Sequence, residues 1–575
     1  MHTSFKHLKS FRKELVLGPF FKFLEAVFEL FTPLVMAKLI DEGVPSSDSN
    51  LIFYYGFILV ILTLLGFMFS MFCQYYAAKA QEGYGNQLRE ALFAHIQSLS
   101  LTQTESIGTN SLITRMTLDI QQMQYAVAMF IRLITRSPFI ILGSLAMAYY
   151  INPTLALIFL GAIPFITLVL VFVMRKTLPL YKTIQANHDT LSTLTLESLT
   201  GSRVIRAFSN ESVQFERFKD ATGNLKNTSV KTGKIESLLN PSTFLIVNIA
   251  TFFVLFLGSF QINQGHLSQG ELIALVSYLT QILLSLYWIV NLVVICSKGY
   301  ASALRVDAVF DIMPEIAPNN YLENPSDIKG SIAFDHVSFK YKTSKTETIK
   351  DLSFHVSQGE TLGIIGGTGS GKTTLVSLLA GFYKVNQGAI YLDSVNINTI
   401  PNDILRKKID VVFQKAVLFR GTIAENLYFG NTDANEEAMW HALELAEAKD
   451  FVRKHPQQLS AVVEQDGLNF SGGQRQRLTI ARSLVGNPEI IVFDDTSSAL
   501  DYQTDRQLRK NIESLDKTII TISQRISAIR DCHQILVLDK GEMVGYGTHQ
   551  ELMETCQVYQ EISKSQHSTE GGIVS

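Results

Sequence analysis

Long stretches of this 575-residue sequence lack any basic residue, although the chain as a whole is nearly neutral. Charged residues make up 18% of it, against about 25% in an average soluble domain, and the formal net charge is -3. Lys and Arg are absent from residues 39–78, 137–174 and 235–297. The near-neutral charge argues against a nucleic-acid-binding protein, and the hydrophobic content of 47% excludes a disordered chain.

Cysteine is also scarce in this sequence. Its four cysteines, Cys73, Cys296, Cys532 and Cys556, are scattered and form no CxxC pair. Such spacing is typical of free thiols packed inside a protein of a reducing compartment. It indicates neither a disulfide framework nor a cysteine-based metal site.

The stretches without basic residues are long enough to cross a membrane, which takes about 20 apolar residues. Short polar segments divide them, and we predict six spans at about residues 15–40, 51–78, 130–151, 154–175, 237–261 and 270–297. The longer intervening segments, 79–136 and 175–234, carry most basic residues of this half. The positive-inside rule therefore places these segments and both termini in the cytoplasm. We expect no cleaved signal peptide, because the basic N-terminus leads into a full span.

Lys22, Glu25 and Glu29 lie on roughly one face of the first predicted span. Charged residues within a membrane are candidates for a functional site. Two interpretations remain open. Lys22 and Glu25 can face the cytosol if the helix begins below the bilayer, or all three can line a cavity for a cationic or amphipathic compound.

The two basic intervening segments are helix-forming rather than loop-like, so the spans should continue as helices into the cytoplasm, with breaks near Gly108 and Gly201. Prolines and asparagines then mark a linker over residues 311–329, at Pro314, Pro318, Asn319, Asn320 and Pro325. The linker divides an all-α membrane domain, residues 1–310, from a soluble α/β domain, residues 330–575.

The second domain contains a phosphate-binding loop. The pattern GxxxxGK[ST] lies between the apolar strand Thr361–Ile365 and an apolar helix. Backbone N–H groups of such a loop bind phosphate oxygens, while Lys372 adds a positive charge and Thr373 supplies a hydroxyl to Mg²⁺. The residues that we expect around the ATP phosphates are Gly366, Gly367, Thr368, Gly369, Ser370, Gly371, Lys372, Thr373 and Thr374.

Two further segments predict contacts with nucleotide. The apolar strand Ile490–Asp494 ends in an acid that can hold magnesium. Ser471, Gly472, Gly473 and Gln474 precede the amphipathic helix Arg475–Leu484, so they form a second anion site at a helix N-terminus. One ATP seldom needs both phosphate-binding ends of one domain. We therefore infer a sandwich of two subunits.

These motifs resemble those of the ATP-binding cassette (ABC) family, and the resemblance extends over the whole chain. The loop at Gly366–Thr373 corresponds to Walker A, the segment Phe470–Gln474 to the signature motif, Asp494 to the end of Walker B, and Asp501 to the D-loop. Six spans ahead of one cassette resemble a half-transporter of the exporter type.

The resemblance implies roles for other residues as well. Gln414 corresponds to the Q-loop residue, so the implied magnesium ligands are Thr373, Gln414 and Asp494. Tyr341 corresponds to the aromatic residue that stacks on adenine. The segment 201–208 resembles a coupling helix that docks on a cassette, which we expect to be the partner's.

Two residues depart from the family pattern. Asp495 stands where a Glu usually orients and deprotonates the attacking water, and Gln524 stands where a switch His is usual. A shorter carboxylate can lose about a hundredfold in rate, and a neutral amide cannot carry a positive charge. This pattern resembles one subunit of the heterodimeric bacterial multidrug exporters, with Asp495, Gln524 and Gln414 at the catalytic positions of a slow site.

The fold class that we expect is an all-α six-helix transmembrane domain followed by an α/β P-loop domain with an antiparallel β subdomain and a helical subdomain. The expected function is ATP-driven export of amphipathic or drug-like compounds across a bacterial plasma membrane. The expected partner is a homologous half-transporter with Glu and His at the two positions, to whose ATP this chain gives its signature motif. The alternatives are a homodimeric exporter with weak ATPase activity and a regulatory membrane ATPase that does not transport.

Overall fold

The computed structural model describes residues 3–46, 48–315, 328–342 and 344–570, without the side chains at 497–498 and 567–570. The chain forms two compact units, one from Met1–Ser98 and Ile107–Met313 and the other from Leu99–Ser106 and Pro314–Ser575. This division differs from the predicted one in the short segment Leu99–Ser106, which belongs to the second unit. Most of the predicted linker, including Pro318, Asn319, Asn320 and Pro325, lies outside the described residues.

The first unit is helical throughout its described length. Its longest helices are Arg12–Lys38, Ser49–Ser98, Pro153–Thr200, Glu211–Glu236, Leu239–Asn263 and Gln269–Phe310. Shorter α-helices are Thr3–Lys6, Val44–Ser46, Thr109–Thr114, Ile120–Leu133, Arg136–Ile151 and Ser202–Ala207, and Leu101–Ile107 bridges the two units in sequence. Helices of 42 to 50 residues span far more than the roughly 30 Å of a bilayer core, so the spans extend beyond it, as the sequence predicts.

Among the described residues, five helical stretches are long and apolar enough to cross a membrane, whereas the sequence predicts six spans. The five are Ser49–Ser98, Thr109–Ile151, Pro153–Thr200, Glu211–Asn263 and Gln269–Phe310. The helix Arg12–Lys38, predicted as the first span, has the length but not the composition. Every 18-residue window of it contains Lys22, Glu25 and Glu29, so its charge exceeds what a plain lipid-facing span carries.

Helix caps explain where the short connections fall. The side chain of Asn152 accepts hydrogen bonds from the backbone N–H groups of Thr154 and Leu155, both at 3.1 Å, with Pro153 in the first helical turn. Ser268 forms a capping box with Glu271 at the start of the last long helix. Both caps lie in the polar segments that divide the predicted spans.

The described part of the second unit contains three sheets, built from β1 Ile332–Phe339, β2 Ile349–Val356, β3 Thr361–Gly366, β4 Gln387–Leu392, β5 Val395–Asn396, β6 Ile409–Val412, β7 Gly421–Thr422, β8 Val462–Val463, β9 Ile490–Asp494, β10 Thr518–Ile522, β11 Gln534–Asp539 and β12 Glu542–Gly547. The main sheet has the order β12-β11-β3-β10-β9-β6 and is parallel except for the edge strand β12. A separate antiparallel sheet has the order β2-β1-β4-β5. Parallel strands end at one edge of a sheet, so β3, β9 and β10 bring their following residues together.

The helices of the second unit cover these sheets or form a helical subdomain. They are Lys372–Leu379, Asn402–Lys408, Ile423–Tyr428, Glu436–Leu445, Lys449–Lys454, Gly472–Val485, Tyr502–Glu513, His549–Thr555 and Gln557–Glu570. One buried core joins the antiparallel sheet to the P-loop helix Lys372–Leu379. A second core is formed by the helices between β7 and β9, including Glu436–Leu445 and Gly472–Val485. The expected fold class, a helical membrane domain followed by an α/β domain with an antiparallel sheet, is confirmed.

Candidate nucleotide site

The phosphate-binding loop joins β3 to the helix Lys372–Leu379. Gly371 has φ +101°, a left-handed conformation that favours glycine, and this turn directs the backbone into the helix. A Cβ on Gly366 would lie 2.2 Å from the carbonyl oxygen of Leu538, so only glycine fits there. The sequence thus places glycine where the loop turns tightly and where it passes close to another strand.

Lys372 lies in the cleft above this loop. Its ammonium group donates hydrogen bonds of 2.8 Å to the carbonyl oxygens of Gly366 and Gly367. Burial lowers the pKa of Lys372, and the carboxylates of Asp494 and Asp495 oppose that effect. A phosphate chain in the cleft would add negative charge beside this cation and favour its protonated form.

The magnesium ligands predicted from Walker A and Walker B are in contact with each other. Asp494 ends β9, is only 4% exposed, and accepts a hydrogen bond from the hydroxyl group of Thr373. Burial raises the pKa of Asp494. A buried carboxylate beside a hydroxyl group is a donor set that Mg²⁺ accepts, and the cation would offset the desolvation of the carboxylate. The residues present therefore fit a magnesium ion.

The three residues predicted at catalytic positions converge on the same cleft. The amide nitrogen Nε2 of Gln414 donates a 3.1 Å hydrogen bond to Oδ2 of Asp495. Burial raises the pKa of Asp495, whereas the positive charges of Arg525 and Lys372 and the Gln414 hydrogen bond lower it. Gln524, directly after Ser523, lines the same cleft.

The cleft has a volume of about 250 Å³. Its lining comprises Thr348, Thr368, Gly369, Ser370, Gly371, Lys372, Thr373, Thr374, Gln414, Asp494, Asp495, Ile522, Ser523 and Gln524. Thr348, Ile522 and Ser523 were not singled out from the sequence. The last two follow from the position of Gln524 at the end of β10, but no sequence signal marks Thr348.

Tyr341, predicted to stack on adenine, does not line this cleft. Its hydroxyl oxygen is 3.1 Å from Oγ1 of Thr374, which does line it. The Tyr341 ring packs edge-on against Phe339 and Tyr383, with ring centroids 4.9 and 5.3 Å away. These contacts hold the ring beside the cleft and against the sheet core.

The signature motif begins the helix Gly472–Val485 and lies outside the Walker A cleft lining. Ser471 Oγ accepts a 3.3 Å hydrogen bond from the backbone N–H of Gln474, and the Gln474 side chain accepts a 2.9 Å bond from the Ser471 N–H. This capping box carries the helix through Gly472 and Gly473, three residues earlier than predicted. The motif is therefore free to serve a different nucleotide from the one in its own chain's cleft.

Asp501, predicted to contact nucleotide from the D-loop, also lies outside the cleft lining. It caps the helix Tyr502–Glu513 by accepting hydrogen bonds of 3.0 and 2.8 Å from the backbone and hydroxyl group of Thr504. The backbone hydrogen bond from Thr504 is the main cause of the lowered pKa of Asp501. This carboxylate accordingly stays ionised near the signature motif.

Three charged residues of the first long helix, Lys22, Glu25 and Glu29, form ion pairs inside the helical unit. Lys22 is 8% exposed, and its ammonium lies 2.7 Å from the Glu25 carboxylate. Arg136 donates 2.8 Å hydrogen bonds to Glu29. The sequence did not indicate Arg136 as a partner, because 107 residues separate the two.

Comparisons with known proteins identify the family. The sequence matches the model "ABC transporter transmembrane region" over residues 15–286 and the model "ABC transporter" over residues 349–498. A Bacillus subtilis protein, "Uncharacterized ABC transporter ATP-binding protein YfiB", is 33% identical over 547 residues, which cover 95% of each chain. The chain belongs to the ABC transporter family. This ABC transporter chain thus combines a membrane domain with one ATP-hydrolysing cassette, and such chains act as dimers in a lipid bilayer.

Two other relatives have names that specify a substrate class. "Probable multidrug resistance ABC transporter ATP-binding/permease protein YheI" of Bacillus subtilis is 31% identical, covering 95% of this ABC transporter chain and 94% of the relative. The "ATP-dependent lipid A-core flippase" of Haemophilus influenzae is 28% identical, covering 98% and 96%. "Structure of a bacterial Atm1-family ABC exporter with ATP bound" superimposes with a TM-score of 0.80 at 24% identity, covering 96% and 98%. This structural likeness establishes the exporter-type fold.

Proposed function

We propose that this chain is one subunit of a heterodimeric exporter of amphipathic or drug-like compounds, in which its own Walker site hydrolyses ATP slowly. Its signature motif completes the faster site, in which the ATP is held by the partner's Walker motifs. The partner is a homologous half-transporter with Glu and His where this chain has Asp495 and Gln524. The complex lies in a bacterial plasma membrane, with six spans and with both termini and cassettes in the cytoplasm.

The observation that supports the slow site is the composition of the cleft. Lys372, Thr373 and Asp494 retain the groups that hold phosphate and magnesium, so ATP should bind well. Asp495 offers a carboxylate one methylene shorter than the usual glutamate, and Gln524 offers an amide that cannot take up a proton. The same cleft therefore has the means to bind ATP and lacks two groups that speed its hydrolysis.

Two names among the relatives support the substrate class. One relative is called a probable multidrug resistance transporter and another a lipid A-core flippase, and a drug-like or amphipathic substrate for this chain agrees with these names. Export is the direction that these names and the exporter-type fold favour.

ATP bound between the two cassettes would hold them together. Thr373, Gln414 and Asp494 would hold Mg²⁺, which would supply positive charge to offset that of the phosphates. Lys372 would hold the phosphates, and Gln414 would hold the carboxylate of Asp495 in the cleft through its hydrogen bond. Ser471 would face the partner's nucleotide. The helix Ser202–Ala207, with Val204 61% exposed and Phe208 beside it 74% exposed, would dock on the partner's cassette and transmit closure to the spans.

Copurification tests the heterodimer directly. A tagged copy of the chain is purified from its native host together with whatever it binds, and the second polypeptide is identified by mass spectrometry. We expect an ABC half-transporter of similar size, with Glu after its Walker B aspartate and His at its switch position. Recovery of this chain alone as an active ATP-hydrolysing homodimer would refute the heterodimer, and recovery alone without transport would favour the regulatory alternative.

A further inference from the structure

The loop that carries Gln524 is held by a side chain from the C-terminal helix Gln557–Glu570. The Nε2 group of Gln566 donates a 2.6 Å hydrogen bond to the carbonyl oxygen of Gln524. Its Oε1 accepts a 2.9 Å hydrogen bond from the backbone N–H of Ile526. One amide thus contacts the backbone on both sides of Arg525, and no motif in the sequence indicates this contact.

The C-terminal helix is anchored firmly enough to make this contact specific. Tyr559 is fully buried, belongs to the core that includes Ile365 of the P-loop strand and Ile526, and its hydroxyl oxygen lies 2.7 Å from Nδ1 of His549. Ser563, one turn further along, is 6% exposed. Tyr559, Ser563 and Gln566 are spaced four and three residues apart, so they share one face of the helix.

Two other backbone N–H groups of the loop have partners of their own. Ser523 donates its N–H to the carbonyl of Ile364 in the P-loop strand at 3.1 Å, and Arg525 donates its N–H to Oγ of Ser523 at 3.0 Å. Ile526 is 5% exposed, and a buried backbone N–H needs a hydrogen-bond partner. Gln566 supplies that partner, so the C-terminal helix adds two hydrogen bonds that help to fix the backbone of this loop.

Two side chains on this loop act on the nucleotide cleft. Gln524 lines it at the position where the family has its switch residue, and the positive charge of Arg525 acts on the carboxylate of Asp495. A shift of about 1 Å in groups that position a reactant can change rates a hundredfold, so backbone contacts that fix such a loop have functional weight.

We propose that Gln566 is a positioning residue that holds the loop Ser523–Ile526, here called the switch loop, so that Gln524 meets the terminal phosphate of ATP. The C-terminal helix thereby sets how well this site distinguishes ATP from ADP. This rests on the ABC nucleotide site and is independent of whether the site hydrolyses ATP slowly or fast.

Chain-resolved photolabelling tests the proposal in the full-length protein in nanodiscs, together with its partner. The magnesium complex of radiolabelled 8-azido-ATP is crosslinked, this polypeptide is separated on a gel, and unlabelled MgAMP-PNP or MgADP competes for the label. In Gln566→Met, which keeps the side-chain length without either hydrogen bond, we expect MgAMP-PNP to compete about fivefold less well. Competition by MgADP should stay within about twofold, because ADP has no terminal phosphate for Gln524 to meet.

Gln560→Met is the matched control. Gln560 lies on the same helix, and its amide donates to the carbonyl oxygens of Met553 and Glu554 rather than to the switch loop. We expect Gln560→Met to leave both competitors unchanged. Gln566→Glu is a second variant that keeps the acceptor for the N–H of Ile526, loses the donor to Gln524, and should behave like Gln566→Met.

The outcomes separate positioning from general stability. Selective weakening of MgAMP-PNP in the two Gln566 variants supports the proposal, whatever the hydrolysis rate proves to be. Equal weakening of both nucleotides, the same shift in Gln560→Met, or no shift in the Gln566 variants would overturn it.

Discussion

Lengthening the carboxylate at position 495 should accelerate ATP hydrolysis in this chain. Asp495→Glu adds one methylene group, which moves the carboxylate by about 1.5 Å along the side chain. In the structure, Asp495 directly follows β9, and its Oδ2 accepts a 3.1 Å hydrogen bond from the Gln414 amide, which fixes the present position of the carboxylate. Because a misplacement of about 1 Å can cost a hundredfold in rate, we expect a gain of about tenfold to a hundredfold for Asp495→Glu combined with Gln524→His.

The gain should come with a loss of stability. Asp495 has φ +47°, in the left-handed region, which short Asp side chains tolerate better than longer ones do. We therefore expect Asp495→Glu to lower the free energy of unfolding by up to about 1 kcal/mol while hydrolysis becomes faster. Opposite changes in stability and activity are hard to explain by a general improvement of the fold.

The assay must report on this chain and not on its partner. After one turnover, vanadate traps the nucleoside diphosphate at the site that hydrolysed ATP. When the nucleotide is radiolabelled 8-azido-ATP, irradiation then labels the polypeptide in which hydrolysis occurred. We expect little trapping in the wild-type chain and strong trapping in the double variant. Asp495→Asn keeps the short side chain without its charge and should show no gain. Trapping as strong in the wild type as in the double variant, or equal behaviour of Asp495→Glu and Asp495→Asn, would refute the reasoning.

Three other variants give expected outcomes. Lys372→Ala should abolish 8-azido-ATP photolabelling of this chain and leave that of a partner, because it removes the cation that holds the phosphates; persistent labelling would contradict the assigned role. Ser471→Ala removes a helix cap, so it should lower the free energy of unfolding by about 1 kcal/mol and reduce the ATPase rate of the complex, both of which thermal scans and phosphate release measure. Glu29→Gln should destabilise the chain by about 2 kcal/mol by unpairing Arg136, and adding Arg136→Met should restore much of the thermal stability; an unchanged melting temperature in the single variant would count against a structural ion pair.

The parts of the nucleotide domain that the sequence predicts best are those buried on both faces. The run Ile490–Asp494, predicted as an apolar strand that ends in an acid, forms a strand with those bounds. Such strands must be apolar on each side because helices cover the sheet, so their ends are marked by the first polar residue.

Long-range pairing explains what the sequence could not show. The helix Arg12–Lys38 reads as a charged span, and only the fold brings Arg136 to Glu29. The resemblance to the family assigns Tyr341 to adenine stacking, whereas the position of its ring depends on Phe339 and Tyr383, which pack against it edge-on. Periodicity reports which face of an element is apolar, but it contains no information on which residue of another element it meets.

The separation of the two phosphate-binding ends within one chain determines how its variants should be interpreted. The Walker cleft contains Lys372, Asp495 and Gln524, and the signature residue Ser471 lies outside it. In a symmetric dimer, each ATP would meet one slow cleft and one intact signature, so Lys372→Ala and Ser471→Ala would disable the same pair of sites and slow hydrolysis equally. In a heterodimer, the first variant disables the slow site and the second disables the fast one, so Ser471→Ala should cost far more ATPase activity than Lys372→Ala. The ratio of these two losses therefore measures the asymmetry that the composition of the cleft favours.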